Sequence, residues 1–217
     1  MRSLLKYAVT LTVLAMTASI AHASSITSAV VYQNIPNPGN AADPANQGAA
    51  LASASFTIGA LGINFQTPPA AYTTVAFLNN PTFSNQVNGF NPNGTADNLE
   101  LVITGFVTLN AGANSFVVGH DDGAVLNIAG FGNVVNAPGP TSFSNSPFTV
   151  TAPSAGDYAF TLEYSECCGA PADLLWNVNA QTIGSGGQVP EPTSLTLFGS
   201  GMVGLYSLVR RRFQAAS

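Results

Sequence analysis

The sequence predicts an all-β protein: a β-sandwich of about nine or more short strands lying between two apolar chain ends. Three observations predict it. Short runs of β-branched and aromatic residues recur between Gly, Pro and Asn turns. Two late runs alternate in character, with Tyr158, Phe160, Leu162 and Tyr164 on one face of a strand and Leu174, Trp176 and Val178 on one face of the next. Outside the chain ends, no window sustains a helical period with capping residues.

In chain order, the strands predicted are Ile26 to Gln33, rich in Val and Tyr, Ala52 to Ile58, Tyr72 to Leu78 with its threonines and valine, and Leu99 to Leu109, the longest β-branched run. Ser115 to His120, Ala124 to Ala129, Phe148 to Ala152, Tyr158 to Tyr164 and Asp173 to Asn179 follow. The face of Leu174, Trp176 and Val178 is expected to meet the core. Three long loops separate these runs. Asn34 to Gly48 holds three prolines and little to bury, Asn79 to Asp97 is Asn-rich, and Gly132 to Pro147 is the third. No repeat of fixed period is present.

Charge is distributed more tellingly than the net value of −5 suggests. All five Lys and Arg lie at the chain ends, so residues 24–189 contain none, while every acidic residue except Glu191 lies between them. A body without cations cannot neutralise phosphates, which excludes nucleic acid as a partner. It has no Arg fork for carboxylate or phosphate either. What such a surface attracts is a cation. With charged residues at only 7% of the chain, solubility must come from hydroxyl and amide groups.

The ends read as addresses. Arg2 and Lys6 precede an apolar run from Tyr7 to Ile20, and Ala21-His22-Ala23 forms a small-x-small cleavage site, so residues 1–23 are a signal peptide and Ser24 is the mature start. Residues 24–183 are the sandwich domain. GSGGQ, residues 184–188, is a flexible spacer. At the other end an apolar, transmembrane-like segment, 193–209, stops at Arg210, Arg211 and Arg212, a cluster retained on the cytoplasmic side. From Leu195 to Val209 a helix reaches only about 22 Å, against a hydrocarbon core of roughly 30 Å. A tail this short, weakened by Gly201 and Gly204, suits a handle that is used and then removed.

Val189, Pro190, Glu191 and Pro192, the apolar stretch and the arginine cluster, in that order, resemble the PEP-CTERM sorting signal of exported bacterial proteins, over residues 189–213. The resemblance implies recognition by an exosortase, a membrane protease-transpeptidase, near Pro190-Glu191-Pro192. It implies a transient stay in the inner membrane of a Gram-negative bacterium and delivery to the cell surface or extracellular matrix.

The most chemical stretch of the body is GHDDGAVLNIAG, residues 119–130. Adjacent Asp121 and Asp122 place two carboxylates close together, a repulsion that a cation, a proton or solvent must relieve. Ca²⁺ prefers such oxygen-rich loops. Asp-Gly between strands is equally an ordinary hairpin signal, with Gly123 supplying a positive φ, and from spacing alone both readings stand.

The longer pattern adds to this. Strand, Asp121-Asp122-Gly123, the strand AVLNIAG, then Ala155-Gly156-Asp157-Tyr158 running into FTLEYSECCGAPADLLWNV, together resemble the protective-antigen-type (PA14) domain and its relatives, the flocculin and GLEYA adhesins, over residues 99–180. The resemblance implies a β-sandwich. In its glycan-binding members the paired Asp residues hold Ca²⁺ that also coordinates sugar hydroxyls, so Asp121 and Asp122 are the candidate metal ligands. A second loop completes the site there with an Asn side chain and carbonyls. The matching loop here, Ser165 to Ala172, departs from that pattern and offers Glu166, Cys167, Cys168, Gly169 and backbone oxygens as candidate ligand-binding groups.

Cys167 and Cys168 are the only cysteines, in a protein exported to where disulfides persist. Three states stay open: a bond between the two neighbours, an intermolecular bridge, or two thiols. The first would fix an apolar knuckle beside Asp121 and Asp122.

Catalysis has little to work with. His120 beside Asp121 lacks a serine in a nucleophile elbow, and a His next to a loop acid is expected at the surface. Glu163 and Asp173, candidates for a glycosidase pair with Glu166, sit at alternate positions expected to face solvent. The expectation is a non-enzymatic, calcium-assisted carbohydrate-binding module acting in exopolysaccharide or biofilm. The alternative is a structural matrix protein that binds neither sugar nor metal.

Overall fold

Strand alternation dictates which side chains go inward, and the two best alternating runs decide the architecture. The structure is a computed structural model, and it describes residues 24–67 and 72–185. The strands are β1 (Ser25–Gln33), β2 (Ala52–Phe56), β3 (Asn64–Gln66), β4 (Phe83–Val87), β5 (Leu99–Leu109) and β6 (Gly112–Asp121). β7 (Gly123–Ile128), β8 (Gly132–Ala137), β9 (Ser144–Ala152), β10 (Gly156–Glu166), β11 (Asp173–Val178) and β12 (Gln181–Thr182) complete them. They form a seven-stranded sheet in the order β4-β2-β1-β5-β10-β7-β8 and a five-stranded sheet that includes β12-β11-β6-β9, with β3 also pairing β11. All pairings are antiparallel.

The core is what alternation demands. Leu99, Leu101 and Ile103 from β5, Leu162 and Tyr164 from β10, and Leu174 and Trp176 from β11 are each fully buried. The sheets meet where the Phe160 ring sits edge-on to Trp176, centroids 4.6 Å apart. An edge-to-face pair of this kind adds about 0.5–1.5 kcal/mol beyond the area it buries.

Three expectations need correction. Tyr72 to Leu78 is not a strand; it contains a one-turn helix, α1 (Thr74–Phe77), started by Thr73, whose side chain accepts from the Ala76 N–H. The β-branched residues there serve as a cap and a buried anchor, and Phe77 packs on Phe65 and Tyr164. The loop Asn79 to Asp97 carries the short edge strand β4. The loop Gly132 to Pro147 carries β8 and the start of β9. Pro147, which made that segment read as loop, lies in β9, at the edge of its sheet, where a missing N–H costs no ladder bond.

The Asp-Asp-Gly corner is no hairpin. β6 belongs to the five-stranded sheet and β7 to the seven-stranded one, so the chain changes sheets there. Gly123 is not left-handed. Its need for glycine is steric: a Cβ would lie 2.2 Å from the Pro138 carbonyl oxygen.

Among the described residues no helix is long and apolar enough to cross a membrane. The expected signal peptide with Ala21 and Ala23, the segment 193–209, and the sorting residues Pro190, Glu191, Pro192, Arg210, Arg211 and Arg212 lie outside the described residues.

Candidate functional site

The end of β6, the start of β7 and the end of β10 bring together the acids that the sequence marks. Asp121 and Asp122 are joined by a cis peptide bond and are only 7% and 6% exposed. Two buried carboxylates side by side need donors, and the neighbouring loops supply them. Asp122 accepts the Thr141 N–H at Oδ1 and the Cys167 N–H at Oδ2, each at 2.9 Å. The Phe143 backbone amide favours the charged form of the Asp121 carboxylate. Burial, joined by the charge of Asp122, raises the Asp121 carboxyl above its ordinary range, and the Phe143 amide opposes that rise.

Asp173 lies opposite Asp121 across the β11–β6 ladder. Like charges directly opposed are destabilising unless a proton or cation intervenes. Burial raises the Asp173 carboxyl too, so its expected solvent-facing place is only half realised. Glu163 also departs from that expectation, accepting from Gln47 Nε2 at 2.9 Å.

Behind the paired acids lies a layer of phenols. The Tyr164 hydroxyl meets the Asp121 carbonyl oxygen and, at 2.6 Å, Glu166 Oε2. The Tyr72 hydroxyl donates to Glu166 Oε1 at 2.9 Å. Glu166 is fully buried, and burial pushes its carboxyl up to about 9, against the lowering effect of the two phenols. Proton counting agrees: Tyr164 has one proton to give and two oxygens to satisfy, so a protonated Glu166 supplies the second hydrogen bond.

His120 is buried, 1% exposed, rather than at the surface. Its Nδ1 lies 2.5 Å from the Asp122 carbonyl oxygen and its Nε2 3.1 Å from Ser146 Oγ. The imidazole thus ties the corner to β9, and its partner on Asp122 is the main chain, not the carboxylate.

Cys167 and Cys168 are bonded to each other, with Cα atoms 3.7 Å apart. Cys167 is buried and Cys168 exposed. Cys168 and Gly169 both take positive φ, 70° and 105°, and a cis bond follows between Ala170 and Pro171. This tight sequence of turns brings the Cys167 amide to Asp122.

The donor set suits a hard cation. One carboxylate oxygen from each of Asp121, Asp122 and Glu166 lies within 4.8 Å of the others. Oxygens on opposite sides of a Ca²⁺ ion, each 2.3–2.6 Å away, are about that far apart. The Asp121 and Asp122 oxygens keep a lone pair beyond their N–H partners, whereas Glu166 would join them as a ligand only by giving up its proton. The residues therefore fit calcium, with Asp121 and Asp122 as its holders and Glu166 behind them.

Of the residues singled out in the sequence, Asp121, Asp122, Glu166 and Cys167 meet in one place. Thr141, Phe143, Tyr72 and Tyr164 belong there too and were not foreseen. Tyr164 carried a signal, the x-Tyr step at the end of an alternating strand, but it reads equally as core. Thr141 and Phe143 act through backbone amides, which leave no mark in side-chain chemistry.

The PEP-CTERM protein-sorting motif matches residues 188–212. No curated protein matches the chain. Among solved structures, the PA14 domain of the MpAFP antifreeze protein is similar at 17% identity and a TM-score of 0.53, over 81% of this chain and all of that one. The PA14 sugar-binding domain of an RTX adhesin is 18% identical, with a TM-score of 0.49, over 72% of this chain and 90% of that one. The epithelial adhesin 6 A domain of Candida glabrata, solved with Galb1-3GlcNAc, is 11% identical, with a TM-score of 0.47, over 74% and 81%. The fold is that of a PA14-type β-sandwich, and the chain carries the signal of an exported, exosortase-sorted protein with a C-terminal membrane-anchoring segment.

Proposed function

We propose that the exported sandwich is a non-catalytic carbohydrate-binding module that works with calcium, acting on exopolysaccharide or in biofilm at the surface or matrix of a Gram-negative bacterium. One observation carries this reading. Two backbone N–H groups, from Thr141 and Cys167, fix the Asp122 carboxylate beside the equally buried Asp121 at a corner between sheets, with the Phe143 amide favouring the charged form of Asp121. That arrangement holds paired acids in fixed positions, which is what an oxygen-ligated cation requires. A bound calcium would supply open coordination positions for vicinal sugar hydroxyls, and the cystine loop would flank them. The absence of Lys and Arg from the body favours neutral or cation-bridged glycans over phosphorylated ones.

Isothermal titration of the domain with Ca²⁺ tests the metal half, with binding heat and a thermal upshift expected. Silence in both at millimolar calcium overturns it. Glycan-array binding that disappears with EDTA and in Asp121→Ala tests the sugar half. An array without signal would leave the alternative, a structural matrix protein.

A further inference from the structure

We infer that the outer face of the five-stranded sheet next to Asp121, centred on Phe143, is a second subsite that takes the sugar ring adjoining the one held at the paired aspartates. The inference rests on the carbohydrate reading above and goes beyond it by assigning a place to the next residue of the glycan chain. Along β6, Val117, Gly119 and Asp121 share this outer face, because Phe116, Val118 and His120 point into the core. Their cross-strand neighbours on β11 are Asn177, Leu175 and Asp173. On β9, Pro147 and Asn145 lie opposite Val117 and Gly119.

Gly119 is the floor of the subsite. A Cβ there would lie 3.0 Å from Phe143 Cζ, 3.0 Å from Asn145 Oδ1 and 3.2 Å from Leu175 Cδ1. The Phe143 ring therefore rests directly on the sheet backbone, held beside Leu175 and the Asn145 amide. Yet Phe143 is 46% exposed and Val117 37%, an uncommon placement for a phenyl ring anchored this closely. The Phe143 amide also favours the charged form of the Asp121 carboxylate, so the ring on Gly119 and the acid are neighbours.

The chemistry of the face selects its occupant. It runs from two acceptor carboxylates, Asp121 and Asp173, through one amide to a flat apolar strip of Phe143, Leu175, Val117 and Pro147. A pyranose presents the matching surface: an apolar C–H face to lie on an aromatic ring, edged by hydroxyls that donate to carboxylates and amides. The face is continuous with the paired aspartates through Asp121. An acidic partner would meet Asp121 and Asp173 with no cation among the described residues to receive it.

The test uses residues 24–187, essentially the single compact unit Ala23–Gly187, on an array of monosaccharides and oligosaccharides in calcium. Phe143→Ala, checked for an unchanged melting temperature, is compared with Phe143→Trp and Asp121→Ala. Oligosaccharide binding is expected to weaken about tenfold in Phe143→Ala and to persist in Phe143→Trp. In Phe143→Ala the loss should be larger for oligosaccharides than for monosaccharides, and Asp121→Ala should lose both. Equal oligosaccharide binding by wild type and Phe143→Ala overturns this inference alone. No binding by wild type overturns the carbohydrate reading and the inference with it. Sedimentation decides the remaining occupant: a dimer abolished by Phe143→Ala would show that a second copy of the chain covers the face.

Discussion

The backbone N–H of Cys167 donates to Asp122 Oδ2 at 2.9 Å, joining the cystine loop to the corner where the chain changes sheets. The other oxygen of the same carboxylate accepts from Thr141. One side chain thus holds two loops that are distant in sequence.

Asp122→Ala should release both loops. Each N–H left without a partner costs roughly 1–3 kcal/mol where it stays buried, so a melting temperature lower by several degrees is expected even without calcium. Asp122→Asn keeps the shape but turns an NH2 toward one of the two amides, and should recover only part of the loss. Thermal denaturation of both variants in EDTA checks this; an Asp122→Ala domain as stable as wild type would contradict it.

Stability should also fall as pH rises through neutrality. Glu100 is fully buried, and burial pushes its carboxyl up to about 7, with the neighbouring Asn46 and Gln47 amides, of which Gln47 donates to Oε1, pulling down and Glu163 and Asp43 pushing further up. A carboxyl whose folded pKa exceeds its unfolded value of 4.5 binds more protons when folded. Its contribution is then fully present below about 4.5 and is lost as pH rises through about 7. Melting temperatures in EDTA are expected to decline from pH 5 to pH 8, with a smaller decline in Glu100→Gln. The slope left in that variant above pH 7 belongs to Glu166, raised to about 9, and Glu166→Gln should flatten it.

Gly123→Ala places a methyl group 2.2 Å from the Pro138 carbonyl oxygen, a backbone atom that cannot swing aside. Overpacking of this kind costs about 1–3 kcal/mol. Gly130→Ala is the control for general loss of glycine, since nothing lies within 4 Å of a Cβ there, although its φ of 88° adds strain of its own. The expected result is a melting temperature lower in Gly123→Ala than in Gly130→Ala, accompanied by a weaker calcium response only in the former. Equal responses would show that the corner tolerates movement.

Much of this was legible from residue order alone. β5 runs from Leu99 to Leu109 as read, and the alternating faces of β10 and β11 are the core, because a half-buried strand must repeat its apolar residues every second position. The pairing of Asp121 with Asp122 needed no structure to be noticed. Reading failed where a residue's role depends on what lies across from it. Thr73 looks like a strand residue until it caps a helix, Pro147 looks like loop until its strand proves to be an edge, and Gly123 looks like a turn glycine until Pro138 is found against it.

By itself, the sequence determined that this is a β-built body without cations that carries a C-terminal protein-sorting motif, because side-chain period, charge placement and motif composition are properties of neighbours along the chain. Only the tertiary structure decided that Asp122 is shared by Thr141 and Cys167, that Tyr72 and Tyr164 close over Glu166, and that Phe143 lies on Gly119 beside Asp121. Those contacts join residues up to 94 positions apart. They depend on which strands pair and where the chain crosses from one sheet to the other, and no local pattern of residues specifies that.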